Sequence, residues 1–416
     1  MPHLLLQLTI ILASARLLAW MLQRLGQPPV IGEMLAGLVL GPIVFGALAP
    51  KWHAWVFPQA SLAGLDGLSQ VGLVLFMFVV GAELRAPNGA RDRIVAAAWV
   101  GVPSVLLPMA LGFFVAPILH THYAPAGIEL MPFSLFIAVS MAITAFPVMA
   151  RILKDRGLTR SASGQLSLAA AAIADVGAWI MLALVVALIG AHGGWQGFVG
   201  TCIGLCVMGA VAFGVLRPLI ARLLARHAAD GRPSGAVLGL LLICACAMSA
   251  ATEGLGLQAV FGAFLFGACL PRDDRVLDTL IERLEHVAVL VLMPVFFVLA
   301  GLKTTSSAFS GTGLAMLALI MLVAVVGKFL GAGIGARIAG SHWRDACVVG
   351  TLMNARGLME LIVMKVGLDA GVIGPEIFTM LMLMAIATTL MTTPMLDAVM
   401  RFRRVSAVKP PLPSQR

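Results

Sequence analysis

Apolar residues in this chain run in blocks of roughly 20, the length a helix needs to cross a bilayer core. The blocks fall near 4–23, 29–48, 63–82, 94–118, 131–152, 164–190, 196–216, 235–252, 257–270, 286–302, 312–336, 345–368 and 374–399. Their order predicts an all-α polytopic membrane protein with about 13 transmembrane helices and short connections. Two of the blocks are interrupted at their centres. Span 5 carries Thr144-Ala-Phe-Pro147, and span 12 carries Asn354-Ala-Arg-Gly357. Pro147 has no amide donor and disfavours helix in the residue before it. Where a helix unwinds, its freed amides and carbonyls carry partial charges of both signs that need compensation.

A longer-range pattern relates the two breaks. Val30-Ile-Gly-Glu-Met-Leu-Ala-Gly-Leu-Val-Leu-Gly-Pro42 matches Val260-Phe-Gly-Ala-Phe-Leu-Phe-Gly-Ala-Cys-Leu-Pro271 as Val-x-Gly-x-x-Leu-x-Gly followed by a closing Leu and Pro. The next spans also match, ending Phe78-Val-Val-Gly-Ala-Glu-Leu-Arg85 and Phe297-Val-Leu-Ala-Gly-Leu-Lys303. Span 2 thus pairs with span 9 and span 3 with span 10. A shift of seven spans is odd, so the halves must run in opposite directions across the membrane. An inverted-topology repeat is predicted, about 29–190 and 257–400, with spans 5 and 12 as counterparts. Inverted repeats place binding sites near the bilayer midplane, on interrupted helices.

Composition supports this reading. Hydrophobic residues make up 60% of the chain and charged residues 11%, and the mean hydropathy is +1.01. Soluble domains carry about 25% charged residues. Residues 1–400 read as one membrane domain and 401–416 as a cytoplasmic tail. The net charge of +9 would suit nucleic acid, but its placement points to topology. Of the 28 Lys and Arg, only Lys51, Lys303 and Lys365 fall on the side where even-numbered spans end, and Arg16, Lys328 and Arg356 lie deep within spans. All others follow odd-numbered spans, among them Arg151, Lys154, Arg156, Arg160, Arg217, Arg222, Arg226 and Arg232. The positive-inside rule then puts the N-terminus outside and the C-terminus in the cytoplasm. Nucleic-acid binding is not expected. The six cysteines lie in or at the edges of spans without zinc-like spacing and read as small apolar fillers. No nucleophile–His–acid set suggests enzyme chemistry, and no cofactor is expected.

Against this background, charges inside spans stand out. Asp175 lies mid-span in Leu166-Ser-Leu-Ala-Ala-Ala-Ala-Ile-Ala-Asp175-Val-Gly-Ala-Trp-Ile-Met181. A carboxylate at the bilayer centre costs about 3 kcal/mol even on insertion scales, and such groups mark ion or proton paths. Lys328, Arg356 and Glu360 are the other candidates. A structural role in pairing is the alternative for each, most directly for Arg356 and Glu360, which are spaced i,i+4. Glu33, Glu83 and Glu253 lie nearer span ends and read as packing or gating groups.

Together Gln27-Pro-Pro-Val-Ile-Gly-Glu-Met-Leu-Ala-Gly-Leu-Val-Leu-Gly-Pro42, Thr144-Ala-Phe-Pro-Val-Met-Ala-Arg-Ile-Leu153, Asp175 and Asn354-Ala-Arg-Gly-Leu-Met-Glu-Leu361 resemble the monovalent cation:proton antiporters, in the branch of Kef-type, Nap-type and plant cation/proton exchangers. The resemblance covers all thirteen spans. It implies a homodimer in a bacterial inner membrane, with a core (spans 4–6 and 11–13) moving against a dimerisation domain in an elevator-like motion. It also implies that Asp175 binds Na⁺ or K⁺, that Lys328 is the family's basic residue before the second break, and that Thr144 and the segment 354–360 are the broken-helix positions. The chain departs from the family at Ala174, since electrogenic members have a second acid there and many others Asn or Gln. Kef-type chains often continue into a cytoplasmic nucleotide-binding domain, whereas this sequence runs to Arg416.

One carboxylate holds either H⁺ or a cation, never both, and that competition couples the two fluxes. Hard monovalent cations want oxygen ligands, for which Ser140, Thr144 and freed carbonyls are candidates. With Ala174 beside Asp175, electroneutral exchange is expected. Competing readings are a gated potassium efflux pathway and an organic-anion/Na⁺ symporter. The chain has no selectivity-filter repeat, and an anion carrier would place donors rather than a carboxylate at its site.

Overall fold

The computed structural model describes residues 2–83, 91–159, 161–190, 195–227, 234–271, 282, 284 and 287–407, and no strand occurs among them. The helices are α1 (Pro2–Arg24), α2 (Pro29–Leu40), α3 (Pro50–Val56), α4 (Gln59–Glu83), α5 (Arg91–Tyr123), α6 (Leu130–Ala142), α7 (Phe146–Asp155), α8 (Ala162–Gly190) and α9 (Trp195–Val211). They continue as α10 (Arg217–His227), α11 (Gly235–Gly254), α12 (Ala259–Cys269), α13 (Met293–Leu302), α14 (Gly313–Ile338), α15 (Trp343–Leu352), α16 (Leu358–Asp369) and α17 (Pro375–Ala407). Among the described residues, nine helices are long and apolar enough to cross a membrane. The shorter apolar helices include α6 and α12. Arg160, Arg232 and the tail beyond residue 407 lie outside the described residues.

The two interrupted spans are each a pair of helices. Span 5 is α6 and α7 with the break at 143–145, and span 12 is α15 and α16 with the break at 353–357. Pro147 sits in the first turn of α7, where its missing N–H has no intrahelical partner to lose. The unwinding falls at 143–145, before Phe146 opens α7. Span 7 runs on past its expected end at 216, through a π-turn (Ala212–Leu216) into α10. Its arginines end the apolar block but not the helical period, since Ile220 and Leu224 remain buried.

The spans matched in the sequence pack against one another in reciprocal pairs. Helix α2 of the first half lies against α13 of the second, and α12 of the second lies against α4 of the first. Glycine sets both crossings. A Cβ on Gly37 would strike the Phe297 carbonyl, and one on Gly301 the Gly37 carbonyl. In the other crossing, Gly81 faces the Phe264 carbonyl and Gly267 the Phe78 carbonyl. Small residues allow such backbone contact in membrane bundles. A third stripe, Gly327, Gly331 and Gly335 on α14, lies directly on Pro108, Pro103 and Trp99 of α5. That close approach fixes the depth of Lys328, which is next to Gly327.

Candidate ion-binding site

The backbones of the two broken helices touch where they are unwound: the Ala145 N–H donates to the Ala355 carbonyl at 3.0 Å. Four helix ends therefore converge. Helix α6 presents the carbonyls of its last turn with no succeeding turn to donate to them, and α7 starts from Ala145, which offers no side-chain cap. Charged side chains from other elements supply what these ends lack.

At the carbonyl end of α6, cations gather. Lys328, wholly buried on α14, donates to the Ala142 carbonyl and to Thr144 Oγ1 at 2.5 Å. Arg356, wholly buried in the second break, reaches the Ser140 carbonyl at 3.2 Å and the Met141 carbonyl at 2.7 Å. Positive charge is favoured at a helix C-terminus. At the amide end of α7, a carboxylate gathers instead. Asp175, buried on α8, is reached by the Phe146 backbone N–H and feels the charge of Lys328. Glu360 lies in the first turn of α16 and is paired with Arg356 at 2.8 Å.

The charged residues singled out in the sequence are thus brought together around one crossing. Thr144 is buried with its hydroxyl engaged by Lys328. Among the described residues the hydroxyl of Ser140 and Oδ1 of Asn354 are buried without a hydrogen-bond partner, so both oxygens are open to a bound cation or water. Asn354 Nδ2 donates to the Gly350 carbonyl at 3.3 Å. Gly357 caps α16 with extended backbone and lies against Val148 of α7. Glu33 lies apart from the crossing, buried with its carboxylate 3.9 Å from Arg16 of α1. Glu253 is exposed. Among the described residues, no group of three or more His, Cys, Asp or Glu suits a transition-metal ion.

One participant has no counterpart in the sequence reading. Thr389 on α17 bonds both backbone groups of Arg356. Its signal was the polar run Thr388-Thr-Leu-Met-Thr-Thr393 in an otherwise apolar span.

Similarity to known proteins follows the same lines. The family model described as "Sodium/hydrogen exchanger, transmembrane" matches residues 11–401. The Na(+)/H(+) antiporter NhaS4 of Synechocystis sp. is 36% identical over 391 residues, covering 93% of this chain and 94% of that protein. Cation/H(+) antiporter 17 of Arabidopsis thaliana is 37% identical over 407 residues, covering 96% of this chain but 48% of the plant protein. The solved structure of the sodium proton antiporter MjNhaP1 from Methanocaldococcus jannaschii superposes with a TM-score of 0.60 at 16% identity, covering 98% of this chain and 99% of that one, a likeness of fold. With the family model spanning nearly the whole chain, the protein belongs to the transmembrane sodium/hydrogen exchanger family.

Proposed function

We propose that the protein is a secondary transporter exchanging a monovalent cation, Na⁺ or K⁺, for H⁺, one for one, at Asp175. The observation that carries this reading is the placement of Asp175, a buried carboxylate at the amide end of α7 in the crossing of two broken helices. Relatives named as Na(+)/H(+) and K(+)/H(+) antiporters support it. Deprotonated, Asp175 attracts a cation; protonated, it is neutral and releases one. Ser140 and Thr144 are the side-chain oxygens proposed to complete the cation's shell, and Lys328 balances charge when the cation leaves. The neighbouring Ala174 carries no titratable group, which favours electroneutral exchange. Alternating access is assigned to an elevator-like movement of α5–α8 with α14–α17 against the rest. Repeats at about 29–190 and 257–400 form the two halves, in a homodimer with its N-terminus outside a bacterial inner membrane and no cofactor.

The test is pH-dye flux in proteoliposomes under Na⁺, K⁺ and Li⁺ gradients, with electrical recording in parallel. Exchange that is insensitive to membrane potential and carries no sustained current is expected. Current scaling with exchange would overturn the one-for-one ratio. Cation flux uncoupled from protons would replace the antiporter reading with a channel.

A further inference from the structure

Arg356 follows two residues held by turn bonds, the Asn354 N–H to the Thr351 carbonyl at 3.1 Å and the Ala355 N–H to the Leu352 carbonyl at 3.0 Å, but its own N–H bonds outside its helix while its guanidinium meets two carbonyls on another broken helix. Its neighbour Ala355 is tied to Ala145 across the crossing, but that contact does not set the direction in which residue 356 leaves the chain. Thr389 does. The Arg356 N–H donates to Thr389 Oγ1 at 3.0 Å, and the same oxygen lies 2.7 Å from the Arg356 carbonyl. It also lies 2.8 Å from the Ala385 carbonyl one turn earlier on α17. A hydroxyl has one proton and two lone pairs. It can accept from the Arg356 amide and donate to one of the two carbonyls, and either choice leaves the amide held.

We propose that Thr389 is a positioning residue for exchange: it clamps the backbone of Arg356 so that the guanidinium stays on the carbonyl end of α6 beside the ion site. The neighbouring threonines provide a contrast. Thr388 and Thr392 donate only to carbonyls of their own helix, Met384 and Ala385 for the first and Thr388 for the second. Such back-bonding is local and does not reach the break. Thr389 alone among these three bonds a residue 33 positions away.

This inference rests on the exchange reading for its transport consequence, and on geometry for the clamp itself. Thr389→Val keeps the shape and removes the hydroxyl; Thr389→Ser restores it. Hydrogen–deuterium exchange of the peptide containing Arg356 is to be compared with cation-driven proton flux in wild type, both variants and the control Thr392→Val. Thr389→Val is expected to speed deuterium uptake at this segment and to lower the maximal exchange rate about tenfold, the scale of one lost buried hydrogen bond. Its apparent cation affinity and pH profile should shift as well, with Thr389→Ser and Thr392→Val both close to wild type. Unchanged uptake or unchanged flux in Thr389→Val would overturn the proposal, as would equal damage from Thr392→Val. If wild type itself moved no protons under any cation gradient, the exchange reading would fail, and deuterium uptake alone would decide the clamp.

Discussion

Arg356 and Glu360 meet at 2.8 Å with both side chains fully shielded from solvent. The pair is not closed on itself, because the same guanidinium also takes the Ser140 and Met141 carbonyls. Arg356 is therefore both an ion-pair partner and the cap of a broken helix. Its charge is matched by Glu360; Lys328 is the other buried cation at the crossing and Asp175 the other buried carboxylate.

Glu360→Gln should destabilise the protein by about 3–5 kcal/mol, since it leaves a buried guanidinium without its counter-ion. Replacing both residues by Met often rescues an isolated buried pair. Here the double variant should stay destabilised, because the α6 carbonyls lose their donors too. Thermal melting in detergent distinguishes the two cases, and full rescue by the double change would show that the carbonyl contacts contribute little.

Asp175→Asn should abolish cation-driven proton flux while the protein still folds and elutes at the wild-type volume. Asn retains an oxygen for the Phe146 N–H but cannot release a proton. Near-normal flux from well-folded Asp175→Asn would remove Asp175 from the mechanism.

Lys328→Ala should lower the melting temperature by more than Lys303→Ala. Lys328 is wholly buried on the end of α6, and its loss leaves Asp175 and two acceptors uncompensated. Lys303 instead forms a half-exposed ion pair with Asp369 at 2.8 Å, a class typically worth about 1 kcal/mol or less. Equal losses in the two variants would contradict the assignment of Lys328 as the compensating charge.

Asp369, the last residue of α16 and a partly exposed one, links three elements through Lys303 at 2.8 Å and Lys365 at 2.7 Å, with Lys365 a further 3.6 Å from Asp66. Partial burial opposes its ionisation, but hydrogen bonds from Lys303 and Lys365 outweigh that and hold its carboxyl below the usual carboxylate range. A carboxyl lowered on folding stabilises fully above its unfolded value of about 4 and loses that contribution as pH falls through the folded value. The melting-temperature advantage of wild type over Asp369→Asn should thus be constant near neutral pH and shrink below about pH 4. An advantage that grew on acidification would reverse the assignment.

The features legible in the amino-acid order were local ones. Blocks of apolar residues marked spans because a helix in lipid must be apolar along its whole length. Pro147 and Gly357 marked the breaks because their effects on the chain act within a residue or two. The glycines at 37 and 267 marked segments of matching pattern, and Asp175 stood out as a lone charge in an apolar run. The i,i+4 spacing of Arg356 and Glu360 was enough to suggest their pairing. Only the tertiary structure decided which end each charge serves. Lys328 and Arg356 find their acceptors on α6, more than 180 residues earlier in the chain, and Thr389 finds its partner in the second break. Those acceptors and donors are mostly backbone groups. A carbonyl is the same chemical group at every position, so the residue it binds leaves no mark on the sequence, and only the packing of α5 on α14 and of α17 on the break selects it.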